Sequence, residues 1–306
     1  MSPKVSIDPK VRSSKYMRNI VRCLPLFVLF VAPMAVCAFP LAASAQPVYN
    51  DWMTKVLHMP EEPLCKVLID KEQKSFQVEV KGSHNIYDPY TGKKLDAAFL
   101  SSSYPMVPTS EGIKWGQDFP GVYQIVVIPD NETASVTVNG VTYGGVVAFY
   151  QIEDKLSAVN WISLDDMTSS LLSSNFLPRD AYQKEVIAAY AIALRSIIHH
   201  QIMNATAQYW DIKAEDCGYQ GKSVTRSDAP FIEAMKATKK IVMIGGTAVA
   251  LNRKVIETLR VKMPSNDIED MAKDGKDARV ILHRFYPEST LGIAEKRPAS
   301  TSSYLR

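Results

Sequence analysis

At 306 residues, with 46% hydrophobic and 22% charged side chains, the chain has ordinary globular composition and room for one large or two small domains, which excludes disorder of the whole. Residues 1–45 hold six basic side chains (Lys4, Lys10, Arg12, Lys15, Arg18, Arg22) and one acid (Asp8), so the formal net charge of +3 becomes 29 basic against 31 acidic, a net of −2, in the remainder. That balance argues against a nucleic-acid partner, because phosphate neutralisation needs clustered Lys and Arg.

The N-terminus has the layout of a secretory signal. A basic region precedes 23 uncharged residues, Cys23 to Ala45, which end in Ala43-Ser44-Ala45 before Gln46. Export across the cytoplasmic membrane to the periplasm or cell envelope, with cleavage after Ala45, is the expectation. An uncleaved membrane anchor is the alternative, since 23 uncharged residues are long enough to span; Pro25, Pro33 and Pro40 weaken it. Val36 before Cys37 disfavours lipid attachment. After cleavage Cys65 and Cys217 remain, and they read equally as one disulfide or as two buried thiols.

Residues 46–64 are a lead-in with an amphipathic turn around Trp52 to Leu57. Strand signals come next at Val67 to Ile69 and at Phe76, Val78 and Val80, with Tyr87 to Gly92 as a turn. Val122 to Ile128, Ala134 to Val138, Val141 to Tyr150 and Ala158 to Ile162 are further strand candidates, with Asn139-Gly140 marking a tight hairpin. Gly144-Gly145 reads as a bulge inside a strand. A polar, serine-rich connection then leads to a long helix from about Ala181, capped by Asp180, whose residues Val186, Ile187, Tyr190, Leu194, Ile197, Ile198 and Met203 form one buried stripe.

Beyond that helix the pattern predicts a short helix at Phe231 to Lys239, strands at Ile241 to Ile244, Ala248 to Leu251 and Val255 to Val261, and a helix over Asn266 to Phe285 broken around Asp274-Gly275. Residues 292–306 read as a disordered tail. The class is α+β: a β-rich N-terminal half packed with a central long helix and a smaller C-terminal α+β part. No Pro- or Gly-rich linker interrupts it, so residues 65–291 read as one unit.

Generic catalytic motifs are absent, including Gly-x-Ser-x-Gly, His-Glu-x-x-His and a phosphate-cradling Gly-rich loop. His199 and His200 fall near a helix end, where they suit its terminal carbonyls and solvent better than a metal. Asp165-Asp166 is a carboxylate pair at a strand-to-helix change, which suits a helix cap.

The segment Asn160-Trp-Ile-Ser-Leu164-Asp-Asp, followed by Glu185-Val-Ile-Ala-Ala-Tyr-Ala-Ile-Ala-Leu-Arg195, resembles the SpoIID/LytB family of cell-wall proteins. Tyr219-Gln-Gly221 sits where that family has Tyr-x-Gly. Glu233-Ala-Met-Lys-Ala-Thr238, Met271-Ala-Lys-Asp-Gly275 and Ile281-Leu-His-Arg-Phe-Tyr-Pro287 resemble its later motifs in order and spacing. The resemblance implies an exported protein acting on peptidoglycan. Active members are lytic transglycosylases that cut glycan strands stripped of stem peptides, and one branch enhances an amidase. The implied partners are peptidoglycan glycan strands and a cell-wall amidase or other envelope protein.

Transglycosylation needs a carboxyl group to protonate the glycosidic oxygen, and the family's Glu-Met-Pro glutamate supplies it. Family spacing counted forward from Leu164 lands on Asn175, and counted back from Arg195 on Leu177. Met167 to Arg179 contains no Asp or Glu in either register. The stretch Ala248 to Pro264, where relatives can carry zinc ligands, has no His, Cys or Gly, so no metal and no cofactor are expected. Two readings remain. In one, Arg195, Tyr219, Gly221, Asp166 and the polar loop Ser169 to Asn175 line a glycan cleft without catalysis. In the other, Asp165, Asp166, Asp180 or Glu185 has taken over as the acid of a divergent transglycosylase.

Overall fold

The computed structural model describes residues 63–98, 101–131, 133–175, 183–222, 228–245 and 251–296. The expected signal region, most of the lead-in, Asp180 and the tail from residue 297 lie outside the described residues, as do residues 248–250 of the strand expected at Ala248 to Leu251. All the described residues belong to one compact unit.

Two antiparallel-rich sheets form the N-terminal half, and the α+β class read from the sequence holds. The strands are β1 (Leu64–Gln73), β2 (Phe76–Lys81), β3 (His84–Tyr87), β4 (Lys94–Ala98), β5 (Ser102–Thr109), β6 (Gly112–Trp115), β7 (Gln117–Pro120), β8 (Gln124–Pro129), β9 (Ser135–Val138), β10 (Val141–Tyr143), β11 (Val146–Ile152) and β12 (Lys155–Ser163). Helices α1 (Leu164–Asn175) and α2 (Lys184–Met203) come next, then β13 (Ile212–Lys213), α3 (Ala214–Cys217), α4 (Ala229–Ala237), β14 (Ile241–Ile244), α5 (Val255–Lys262), α6 (Ser265–Lys273), α7 (Ala278–Phe285) and β15 (Thr290–Ile293). The larger sheet runs β13-β1-β12-β11-β8-β3-β4, the second β10-β9-β2-β5-β6-β7, and β14 pairs with β15.

Alternation sets the register of the second sheet. Phe76, Val78 and Val80 are fully buried, and Phe76 meets Phe149 of the first sheet with ring centroids 5.9 Å apart. Strands β8, β11 and β12 are instead apolar on both faces. Ile125, Val127, Val147, Phe149 and Ala158 point into the main core, while Val126, Ala148, Tyr150, Val159 and Trp161 form a second cluster on the other side. The Asn139-Gly140 hairpin is present, with φ of 48° and 83°, the left-handed pair a two-residue turn requires.

Helix α2 is buried nearly all round rather than along one stripe. Thirteen of its residues are buried, among them Ala188, Ala189, Ala191 and Ala193, whose small side chains let neighbouring elements approach from every side. By length and composition it would pass for a membrane span, but it is the central core helix of this fold.

Several expectations need correction. The serine-rich connection Ser169 to Asn175 is helical, because Leu164, Met167, Leu171 and Leu172 recur at helical spacing and are buried. Helix α2 starts at Lys184 with Gln183 at its N-cap position, so Asp180 does not cap it. Val255 to Val261 is helix α5, not a strand: Val255, Ile256 and Leu259 face the core at one-and-four spacing that β-branched composition disguised. Gly144-Gly145 forms the bend between β10 and β11, and Gly145, at φ 70°, has the Trp161 carbonyl where a Cβ would sit. Residues 290–293 pair with β14, and Ala294 N–H donates to the Lys240 carbonyl, so the start of the expected tail is ordered. Cys65 and Cys217 are both buried free thiols, which excludes the disulfide reading.

Candidate functional site

Asn160, Asp165, Asp166, Arg195, Tyr219 and Gly221, from segments that carry the family resemblance, gather around the passage from β12 into α1. Ser163 ends the strand; its Oγ accepts from the Asp166 N–H at 3.0 Å and donates to Asp166 Oδ2 at 2.7 Å. This reciprocal cap starts α1 and engages the exposed Asp166 carboxylate.

Asp165, the preceding residue, turns inward. Its Oδ1 accepts from Arg195 Nε at 2.6 Å, and its Oδ2 accepts from the Lys240 N–H at 3.3 Å. Arg195 also donates from Nη1 to the Ile241 carbonyl at 3.2 Å, and none of its surface reaches solvent. A charged pair so placed is tolerated only because each partner is hydrogen-bonded. It ties α1, α2 and β14 together. The expected sugar-contacting role of Arg195 is therefore corrected: it is a buried strut.

A second strut joins Tyr219 to β12. Tyr219 Oη donates to Asn160 Oδ1 at 2.6 Å, and Asn160 Nδ2 donates to the carbonyls of Gly144 at 2.7 Å and Val146 at 2.9 Å. Asn160 is fully buried and Tyr219 is 5% exposed. Burial pushes the Tyr219 phenol well above its ordinary range, with Tyr143, Cys65 and Asp166 adding to the effect. The neutral phenol is thus the donor, and Tyr219 does not line an open cleft.

Gly221 completes the clamp. Its carbonyl accepts from Ser170 Oγ at 2.9 Å, and the Lys222 N–H donates to the Thr142 carbonyl at 2.7 Å. At φ 75°, a Cβ on Gly221 would collide with that Thr142 carbonyl. Glycine stands here because the backbone must pass α1 and β10 closely, not because a ligand approaches it.

Glu185, a candidate acid, lies in the first turn of α2 and accepts from the Ala278 N–H at 2.9 Å, satisfying an open amide at the start of α7. That use of its carboxylate contradicts a free proton donor. Asn175 ends α1, with its side chain outside the described residues, and Asp180 is outside them altogether. His199 lies within hydrogen-bond distance of the Glu295 carbonyl at 2.9 Å, and His200 is exposed at the helix end. Among the described residues no three His, Cys, Asp or Glu side chains gather as a metal site would require.

A cavity that no sequence motif marks opens at the C-terminal end of α2. It has a volume of about 190 Å³ and is lined by Gln201, Asn204, Thr206, Trp210, Asp211 and Asp216, among others. The Asp211 Oδ2 accepts from the Lys66 N–H at 3.0 Å. Trp210, half-buried between the cavity and Tyr209, is the one signal the sequence offers, as a Trp in a polar loop.

Comparison with known proteins adds relatives without an assigned activity. The chain is 28% identical over 236 residues to an uncharacterized protein of Chlamydia pneumoniae, covering 76% of this chain and 83% of that one. It is 27% identical to an uncharacterized protein of Chlamydia muridarum over 76% of this chain and 79% of the relative. An uncharacterized protein of Brachyspira hyodysenteriae is 20% identical over 52% of this chain and 42% of its own length. No protein-family model matches the chain, and no solved structure matches it.

Proposed function

We propose that this chain is an exported SpoIID/LytB-like protein of the cell envelope that binds peptidoglycan glycan strands without cutting them. The observation that carries the non-catalytic half is the fate of the candidate carboxylates among the described residues, Asp165, Asp166 and Glu185. Met167 to Arg179 offers none, Asp165 is locked to Arg195, Asp166 to Ser163, and Glu185 to the Ala278 amide. A general acid must reach the glycosidic oxygen, and moving one of these would dismantle a helix junction.

The binding half rests on the resemblance and on the cavity beside Trp210. An aromatic face flanked by amide, hydroxyl and carboxylate groups suits the apolar face and hydroxyl rim of a pyranose ring, and the volume suits a single ring. The amides of Gln201 and Asn204 offer both donors and acceptors to an acetamido group.

The test is incubation of the purified protein with amidase-treated peptidoglycan. The expected outcome is co-sedimentation with the denuded glycan and no 1,6-anhydro sugar products. Co-sedimentation is expected to fall in Asn204→Ala and Trp210→Ala variants whose thermal unfolding remains cooperative. Anhydro products that vanish in Asp180→Asn would overturn the non-catalytic reading, and failure to sediment would overturn glycan binding itself.

A further inference from the structure

The two-stranded sheet of β14 and β15 leaves one side of β15 as an edge. Its register runs Ile241↔Ile293, Val242↔Gly292, Met243↔Leu291 and Ile244↔Thr290. Three contacts fix which peptide groups turn outward. The Ala294 N–H donates to the Lys240 carbonyl, so Ala294 faces β14 and its neighbour Ile293 faces away. On the other strand the Ile241 carbonyl accepts from Arg195, and the Met243 N–H donates to Ser196 Oγ at 2.7 Å, so both residues turn their peptide groups toward α2. Their cross-strand mates, Ile293 and Leu291, therefore point their own N–H and carbonyl groups away from β14. Among the described residues no hydrogen bond is made to those four groups.

The side chains along this edge are apolar. Leu291 and Ile293 are 39% and 60% exposed, and they share one face of the ribbon with the half-buried Ile241 and Met243. On the opposite face Ile244, 55% exposed, lies over Gly292, whose missing side chain leaves room for it. Edge strands are ordinarily blunted by charge, proline or a bulge. Thr290 to Ile293 carries no charge and no proline, and its register against β14 has no shift.

We propose that β15 pairs antiparallel with β15 of a second copy, joining two ribbons into a four-stranded sheet. The strand is self-complementary in one register. With Gly292 facing its own counterpart on a twofold axis, Leu291 of each chain faces the partner's Ile293, and these are the residues whose peptide groups turn outward. The two pairs exchange four hydrogen bonds and set Leu291 and Ile293 side chains against each other across the axis. Counting outward, Thr290 meets the partner's Ala294, Ser289 meets the partner's Glu295, and Glu288, exposed in the turn before the strand, comes alongside the partner's exposed Lys296. Each end of the pairing thus gains opposite charges, and no like charges meet. That match selects a second copy over any other extended strand, and moving the register by two residues in either direction loses it.

Sedimentation equilibrium of the full chain tests the proposal. A pair of ribbon edges is smaller than a standard interface, so a weak dimer is expected, forming between about 1 and 100 µM. Ile293→Lys, at a position already open to solvent, should leave thermal unfolding unchanged and raise the dimer dissociation constant by at least about tenfold. Glu288→Lys and Lys296→Glu should each raise it by about threefold, and the two together should restore it. A monomer at every concentration would overturn the proposal, as would a dimer whose dissociation constant Ile293→Lys does not change. Charge variants whose effects add instead of cancelling would overturn the register.

Discussion

Arg195 Nε and Asp165 Oδ1 lie 2.6 Å apart, with the arginine wholly out of solvent and the carboxylate side chain 15% exposed. Two positions thirty residues apart in the chain are thus one structural unit, holding the first turn of α1 against the middle of α2. Removing one partner strands the other. Arg195→Met is expected to cost about 3–5 kcal/mol, and the addition of Asp165→Ala to recover part of that loss. Urea unfolding of the two single variants and the double variant measures both quantities. Additive losses would mean that the pair contributes as two independent residues.

The buried thiols set an alkaline limit. Burial raises Cys217 from about 9 to about 11, and raises Cys65 well above its ordinary range. Below pH 9 both thiols are protonated in the folded and unfolded chains, and their contribution is fully present. Between about pH 9 and 11 the unfolded chain releases its protons first, so stability falls as pH rises. The Cys217 shift corresponds to about 2–3 kcal/mol across that window. Burial also pushes Tyr143 up to about 12, which continues the loss at higher pH. Urea midpoints at pH 8, 9, 10 and 11 should fall in the wild type and fall less steeply in Cys217→Ala.

Two glycines with similar backbone angles should respond very differently to alanine. Gly221, at φ 75°, faces the Thr142 carbonyl, while Gly140, at φ 83°, has nothing within 4 Å of its would-be Cβ. Gly140→Ala should cost only the left-handed penalty of about 1–2 kcal/mol. Gly221→Ala should exceed it by about 1–3 kcal/mol, because the chain must also move off β10 and loosen the Ser170 contact. Thermal unfolding of the pair, run side by side, isolates the collision from the dihedral cost.

How far such features can be read ahead of a structure depends on the kind of signal. Phe76, Val78 and Val80 alternate and Asn139-Gly140 marks a turn, so β2 and the β9–β10 hairpin are legible. Strands β5 to β7 are not, because Ser102 to Pro120 mixes Ser, Pro, Gly and charges on a sheet whose apolar contributions come one at a time, from Met106, Ile113, Trp115 and Phe119. The motif residues Asn160, Arg195, Tyr219 and Gly221 do gather around one junction, but they hold it together rather than open onto a cleft. Arg195 sits among Ala191, Leu194, Ile197 and Ile198, an apolar run that already encircles the helix, and that pattern implies burial of whatever polar residue it surrounds. The cavity at Trp210 draws its lining from α2, a loop and α3, and no spacing in the sequence brings those together.

Glu185 separates structure from chemistry most cleanly. Its Oε2 accepts the Ala278 amide, while Asp277 caps the same helix by accepting from the Val280 N–H at 2.9 Å. Two open amides at the start of α7 therefore have two separate carboxylates. Glu185→Ala leaves one amide without its partner and is expected to cost about 1 kcal/mol. Glu185→Gln keeps a carbonyl oxygen in place and loses only the favourable charge at a helix N-terminus, a cost of about 0.3–1 kcal/mol. Glycan co-sedimentation should be unchanged in both. A catalytic acid would behave otherwise, since the amide of Gln cannot donate the proton and would abolish product formation at nearly full stability. Measuring unfolding and anhydro-sugar release on the same Glu185→Gln preparation therefore decides whether this carboxylate holds a helix or drives a reaction, and the hydrogen bond to Ala278 predicts the former.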